Sequence, residues 1–111
     1  MNFQHKNLAT GRWFELSFFE QMANIGSEVE RSINWKNKGN DDYSFKALER
    51  ALELIYLTVE DRKNRFRLKE ILRMKEMLID YLAFDNEYKS TDQSWQKYFY
   101  AFNYAARLHK S

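Results

Sequence analysis

The stretch STDQSWQKYFYAFNYAARLH, Ser90 to His109, decides the fold, because it predicts a helix against which the rest of the chain is expected to pack. Ser90, followed three residues later by Gln93, predicts a capping box, in which each side chain satisfies a free backbone donor of the other residue. A helix should therefore begin here. At about 100° per residue, one face of this helix is apolar and wide enough to pack into a core. That face consists of Trp95, Tyr98, Phe99, Phe102, Ala105 and Ala106.

A second apolar line follows the opposite side of the same helix. Tyr100, Tyr104 and Leu108 are spaced i, i+4 and i+8, which places them about half a turn away from the core face. One bundle core cannot cover both lines. We therefore expect the second line to be a contact surface for another chain.

Apolar residues recurring every three or four positions predict three further helices before this one. The expected helices are residues 11–38, 42–60, 64–84 and 91–109, preceded by an arm at residues 1–9. Their core is expected to contain Phe18, Ile25, Val29, Leu48, Leu52, Ile55, Leu72, Leu78, Phe99 and Phe102. Short loops cannot cross the length of a bundle, so consecutive helices should be antiparallel neighbours. The predicted fold is a single all-α domain over residues 1–111, an up-down-up-down four-helix bundle.

Local residue types indicate where these helices end and meet. Gly39 suits a left-handed cap after the first helix, and Asp41 or Asp42 suits the start of the second. Gly26 lies in the middle of the first helix, where glycine is unfavourable unless another helix crosses closely or the helix bends. We therefore expect a close crossing or a slight bend at Gly26.

Composition excludes several classes of protein. The chain has no Pro, no Cys and only three Gly, which argues against β-barrels, Gly-rich phosphate loops, disulfides and thiolate chemistry. No run of about 18 apolar residues occurs, and the first residues lack the apolar centre of a signal peptide. We expect a cytoplasmic protein without a membrane segment.

The patterns of catalytic and metal sites are also missing from the sequence. Di-iron bundles need Glu-x-x-His pairs on their helices, whereas the histidines here are His5 in the arm and His109 at the chain end. There is no Gly-x-Ser-x-Gly turn or Walker loop. We expect no enzyme activity, no cofactor and no metal. The acidic residues of the first helix are expected on its polar flanks: Glu15, Glu20, Glu28 and Glu30.

A basic cluster at the start of the third helix is the strongest polar signal. It comprises Arg62, Lys63, Arg65, Arg67, Lys69, Arg73 and Lys75, against the single acid Glu70. Such residues can contact phosphates, although a solvated helix start explains them as well. We expect the first six to be exposed and any nucleic-acid binding to be weak and salt-sensitive. Lys75 plots on the apolar stripe of the helix, so either its ammonium group reaches solvent or a buried acid pairs with it.

The third helix also carries a candidate interface. Met74, Met77 and Tyr81 line up away from the stripe that contains Leu72 and Leu78. Aromatic and Met enrichment with few charges is typical of the centre of a protein interface. We expect these residues to assist Tyr100, Tyr104 and Leu108.

Three runs carry a resemblance to known proteins. They are FFEQMANIGSEVERSINWKNKGN, RALELIYLTVEDRKNR and NEYKSTDQSWQKYFYAFNYAARL. Together they resemble an uncharacterised family of small all-helical prokaryotic proteins with no assigned activity. This resemblance implies a complete small protein and no catalytic residue. The expected architecture is also similar to that of the small helical bundles encoded by intervening sequences in ribosomal RNA genes.

The sequence favours a non-enzymatic helical protein that self-associates, most simply as a dimer, or docks a protein partner through its third and fourth helices. The alternative hypothesis is a nucleic-acid-binding accessory protein that uses Arg62 to Lys75.

Overall fold

The computed structural model of the protein describes residues 11–108 and contains no strand within that range. It has four α-helices: α1 Phe18–Asn37, α2 Asp41–Glu60, α3 Leu68–Ala83 and α4 Asp92–Leu108. Two short 3-10 helices, Arg12–Glu15 and Arg62–Arg67, precede α1 and α3. The predicted all-α four-helix fold is confirmed.

Helix α1 is the centre of the packing. It lies against α2 on one side and α4 on the other, and α3 packs on α2. Close backbone approach between α3 and α4 is sparse, so this side of the bundle is the most open. The core draws on every helix, and its largest fully buried apolar side chains are Trp13, Met22, Ile25, Ile33, Ile55, Ile71 and Leu78.

The predicted start of the first helix at residue 11 is wrong. A capping box begins α1 at Ser17, whose hydroxyl accepts from the Glu20 amide at 3.1 Å while the Ser17 amide donates to the Glu20 carboxylate at 3.0 Å. The 3-10 helix before it turns Trp13 into the core, where its indole Nε1 donates to Thr58 Oγ1 at 3.0 Å. Trp13 is fully buried. The periodicity of the sequence placed it in a continuous first helix and did not predict the separate 3-10 helix.

The caps of the later helices differ from prediction by one residue. Gly39 does adopt a left-handed conformation, with φ of +78°, but Asn40 rather than Asp41 or Asp42 caps α2 by accepting from the Tyr43 amide. The predicted Ser90 capping box is also wrong. Thr91 and Ser94 instead exchange amide-to-hydroxyl hydrogen bonds of 3.0 Å in both directions.

Asn86 explains why Ser90 cannot cap α4. Its side-chain amide accepts from the Ser90 backbone amide at 2.8 Å and donates to the Ser90 carbonyl oxygen at 2.9 Å. Asn86 itself is left-handed, with φ of +55°. Ser90 is thereby held in the α3–α4 loop, and the helix starts after it.

Most of the predicted core is confirmed, with one clear error in α3. The buried members are Phe18, Ile25, Val29, Leu48, Ile55, Leu78 and Phe99. Leu52 and Phe102 are partly buried against that core. Leu72, however, is 48% exposed, and Met74 occupies the core at 4% exposure. Apolar residues cover more than half of the circumference of α3, so periodicity alone could not choose the side that faces α2.

Glu28 is another correction. The acidic residues of α1 were expected on polar flanks, but Glu28 is buried at 6% exposure. Its carboxylate accepts from Arg31 Nη1 and from Arg50 Nε, each at 3.0 Å. Two guanidinium groups therefore offset the cost of burying this charge, and the Arg50 contact joins α1 to α2.

Candidate interaction surfaces

The outer face of α4 carries three large apolar side chains that are open to solvent. Tyr100, Tyr104 and Leu108 are 61%, 52% and 64% exposed. The buried residues of α4 are Trp95 and Phe99, both in its first half. The second half rests on α1 through partly buried residues such as Phe102, whose ring meets that of Phe18 edge-to-face at a centroid distance of 5.7 Å. The second apolar line predicted for this helix is therefore exposed.

The α3 residues expected to assist this face lie elsewhere. Met74 is in the core, and Met77 is partly buried against it. Tyr81 donates a hydrogen bond to Asp92, the first residue of α4. Tyr104 lies twelve residues further along that helix, about 18 Å at 1.5 Å per residue. The structure thus does not gather these α3 residues and the outer α4 line into one patch.

Tyr81 ties three helices together. Besides its hydrogen bond to Asp92, its ring lies 4.1 Å from Lys36 Nζ at the end of α1. Burial together with the Asp92 carboxylate raises the pKa of Tyr81 to about 12. Burial alone would raise the pKa of Asp92, but hydrogen bonds from Tyr81 and Asn37 and the nearby Lys36 charge lower it overall. This arrangement suits a structural clasp rather than an exposed contact.

A groove separates α3 from α4 where the two helices diverge. Its volume is about 420 Å³, and its lining is mainly apolar. The lining residues are Glu70, Arg73, Met74, Met77, Ser90, Ser94, Trp95 and Tyr98. The buried indole Nε1 of Trp95 has no hydrogen-bond partner among the described residues. Burial, followed by the Glu70 charge and hydrogen bond, raises the pKa of Tyr98, so its hydroxyl stays neutral at physiological pH.

A buried polar cluster lies beside the first 3-10 helix. Gln21 donates to the Trp13 carbonyl oxygen at 3.0 Å and to Asp61 Oδ2 at 2.8 Å, and Asn64 donates to Gln21 Oε1 at 2.9 Å. Lys63 binds the same Asp61 carboxylate. Burial alone would raise the pKa of Asp61, but the hydrogen bonds from Lys63 and Gln21 hold it below its ordinary value. Apart from Asn64 Oδ1, which has no hydrogen-bond partner among the described residues, these groups satisfy one another as a structural network does.

The basic cluster is exposed, as predicted: Arg62, Lys63, Arg65, Arg67, Lys69 and Arg73 are all exposed. Several of these residues have partners within the protein; the Arg73 guanidinium, for example, lies 6.0 Å from the Tyr88 ring centroid. Lys63 binds Asp61, and the Arg67 guanidinium lies 4.3 Å from the Phe18 ring centroid and 3.8 Å from the Glu70 carboxylate. Lys75 is also exposed, so its ammonium group reaches solvent instead of pairing with a buried acid.

Phe66 is the surface residue that periodicity missed. It is 86% exposed, in the 3-10 helix before α3, and the Arg65 guanidinium lies 4.7 Å from its ring centroid. Its neighbours in sequence are Arg65 and Arg67. A single Phe between two Arg residues is the signal that could have found it, because an apolar residue flanked by charges seldom enters a core.

Within residues 11–108, no group of three or more His, Asp or Glu side chains could hold a metal ion. No helix of the described chain has the length and apolar character needed to cross a bilayer. His5 and His109 lie outside the described residues, as does the predicted arm at residues 1–9.

The fold and its surfaces define an all-α four-helix protein with an apolar outer face on α4 and a basic face around α3. Comparisons with protein-family models, with curated proteins and with solved structures find no match.

Proposed function

We propose that this protein is a non-enzymatic, self-associating helical bundle whose interface is the outer face of α4. The observation that carries the proposal is that Tyr100, Tyr104 and Leu108, spaced i, i+4 and i+8 on α4, are all more than half exposed. Surface aromatics are common one at a time, but three large apolar side chains in register on one helix form a patch. A patch of this kind is typical of a protein interface.

Two copies of α4 related by a twofold axis are the simplest way to cover this line. In such a dimer the same patch serves both subunits, and twofold dimers are the commonest assembly. Burying each of these side chains contributes roughly 1.5 to 3 kcal/mol relative to exposure, which can offset the entropy lost on association. The tyrosine hydroxyls remain able to bond to water at the rim.

The test is the solution mass measured by light scattering over a range of protein concentrations. The wild type should have twice the mass of one chain, and Tyr104→Glu combined with Leu108→Lys should have the mass of one chain. The matched control is Lys46→Glu combined with Glu49→Lys, at exposed positions of α2 away from this face, which should remain dimeric. A wild type that is monomeric at the highest concentration would exclude self-association. A control that dissociates as readily would exclude this face as the interface.

A further inference from the structure

We propose that a second surface, the outer face of α3 with the 3-10 helix before it, binds single-stranded nucleic acid. In this arrangement a base stacks on the ring of Phe66, and the phosphates contact Arg65, Lys69 and Arg73. The surface is separate from the α4 face of the proposed dimer, so it would add an activity to a self-associating protein. Its chemistry is that of an aromatic platform beside a row of cations.

Three of the four proposed contact residues line one shallow groove, and Arg65 adjoins it through the Phe66 ring. This groove runs along α3 and has a volume of about 870 Å³, and its lining includes Phe66, Lys69, Leu72 and Arg73. Lys69 and Arg73 are spaced i and i+4, so they lie one above the other on the same side of the helix. An aromatic ring at the beginning of α3 is thus followed by two cations in line.

Positive charge on this surface is only partly compensated within the protein. The acid Glu70 lies near Arg67, at 3.8 Å, and Glu76 accepts a hydrogen bond from the Tyr88 hydroxyl at 2.6 Å. Within residues 11–108, neither Arg62 nor Lys69 belongs to an ion pair. Lys63 and Arg67 have structural partners, and the Arg73 guanidinium lies 6.0 Å from the Tyr88 ring centroid, so Lys69 is the groove cation whose charge is most available to a phosphate.

Phe66 favours a single strand over a duplex. The Arg65 guanidinium covers part of the ring, and 86% exposure leaves room for a base to stack on it. In a duplex the bases are already stacked on each other, so an exposed phenyl ring would gain nothing. Arg65 can at the same time reach a phosphate, because a guanidinium group can stack and donate hydrogen bonds together.

The same surface is poorly suited to a lipid bilayer. Interfacial helices bury a continuous apolar face, with the charges on the other side. Here Phe66 and Leu72 are interrupted by Lys69, so the groove has no continuous apolar face to bury in a bilayer. Separate apolar side chains among cations are better suited to a single-stranded nucleic acid than to a lipid bilayer.

The experiment measures fluorescence anisotropy of short labelled oligo(dT) and oligo(U) strands with the full chain, from about 50 to about 200 mM salt. Phe66→Ala should weaken binding roughly 5- to 150-fold, the range for removing one stacked base. Lys69→Gln combined with Arg73→Gln should reduce the slope of log affinity against log salt by about 1.4, because each lost phosphate contact on a single strand removes about 0.7.

Matched controls make the result specific. Phe84→Ala removes another exposed Phe, at the opposite end of α3, and Lys46→Gln combined with Lys38→Gln removes the same charge elsewhere. Both controls should bind like the wild type, and circular dichroism should show unchanged helix content in all four variants. The proposal is overturned by absence of binding at low salt or by equal losses in the controls. Binding to phosphatidylserine vesicles without binding to either oligonucleotide would also overturn it, in favour of a membrane surface.

Discussion

Phe99 of α4 packs directly against Gly26 of α1: a Cβ added to residue 26 would lie 2.8 Å from both the Cβ and the Cγ of Phe99. This contact is the close crossing that the mid-helix glycine predicted. It fixes the position of α4 on α1, and thereby which side of α4 faces solvent. The exposed tyrosine line exists because Gly26 allows the opposite side of α4 to approach so closely.

Gly26→Ala should destabilise the protein. Alanine is the better helix former by about 1 kcal/mol, but overpacking costs about 1 to 3 kcal/mol. The second effect should win, because the added methyl meets the base of the Phe99 side chain, which cannot rotate away. We expect a net loss of up to about 2 kcal/mol in the free energy of urea unfolding. Ser27→Ala, at the next and exposed position, should show no loss, and equal stability of both variants would contradict the crossing.

The orientation of α3 can be tested by comparing Met74→Ala with Leu72→Ala. Met74 is buried and should lose about 2 to 5 kcal/mol of unfolding free energy, as expected for truncating a core side chain. Leu72 is 48% exposed and should lose less than about 1 kcal/mol. Thermal or urea unfolding followed by circular dichroism gives both values. A larger loss for Leu72→Ala would mean that the helix is turned the other way.

Asp61 should make stability depend on pH in acid. Its pKa in the folded protein is below the ordinary value of 3.8, so the unfolded state binds a proton first as the pH falls. The contribution of the ionised carboxylate is therefore present above the unfolded pKa and is lost as the pH falls through the folded pKa. Asp61→Asn should cost about 1 to 3 kcal/mol at neutral pH and should lose less further stability on acidification.

The measurement for Asp61 is urea unfolding at neutral pH and at about pH 3, close to the ordinary pKa of an aspartate. Asp42→Asn, at an exposed position at the start of α2, is the matched control and should retain the acid dependence of the wild type. An Asp61→Asn variant with the same acid dependence as the control would show that the buried carboxylate is not the group that titrates.

Glu28 should contribute to stability through its two arginines. Glu28→Gln keeps the shape of the side chain but removes the charge that both guanidinium groups face. We expect a loss of about 1 to 3 kcal/mol, near the lower end because the Arg50 side chain is 28% exposed and Arg31 is more so. Glu49→Gln, on the exposed side of α2, should change the unfolding free energy by no more than about 0.5 kcal/mol. Equal effects of the two changes would argue against a structural role for Glu28.

The sequence predicted which apolar residues of α4 are exposed, but it did not predict which residues of α3 pack in the core. Tyr100, Tyr104 and Leu108 could be placed because α4 has one clear core face and the remaining apolar line had to lie opposite. Met74 could not be placed, because α3 is apolar over so much of its circumference that two orientations satisfy its periodicity. The periodicity of the sequence did not identify Phe66, because its 3-10 helix of six residues is too short to show a repeat of apolar positions.

The sequence by itself determined the helical class, the Gly39 turn, most of the core and the exposure of the cations, because these follow from local preference and from spacing along one helix. Tertiary structure alone decided which face of α3 is buried, that Trp13 turns inward, and that Gln21 and Asn64 meet around Asp61. The last contacts join residues about 40 positions apart. No local pattern encodes such pairs, since they exist only once the helices have packed and have brought these buried polar groups within hydrogen-bonding distance.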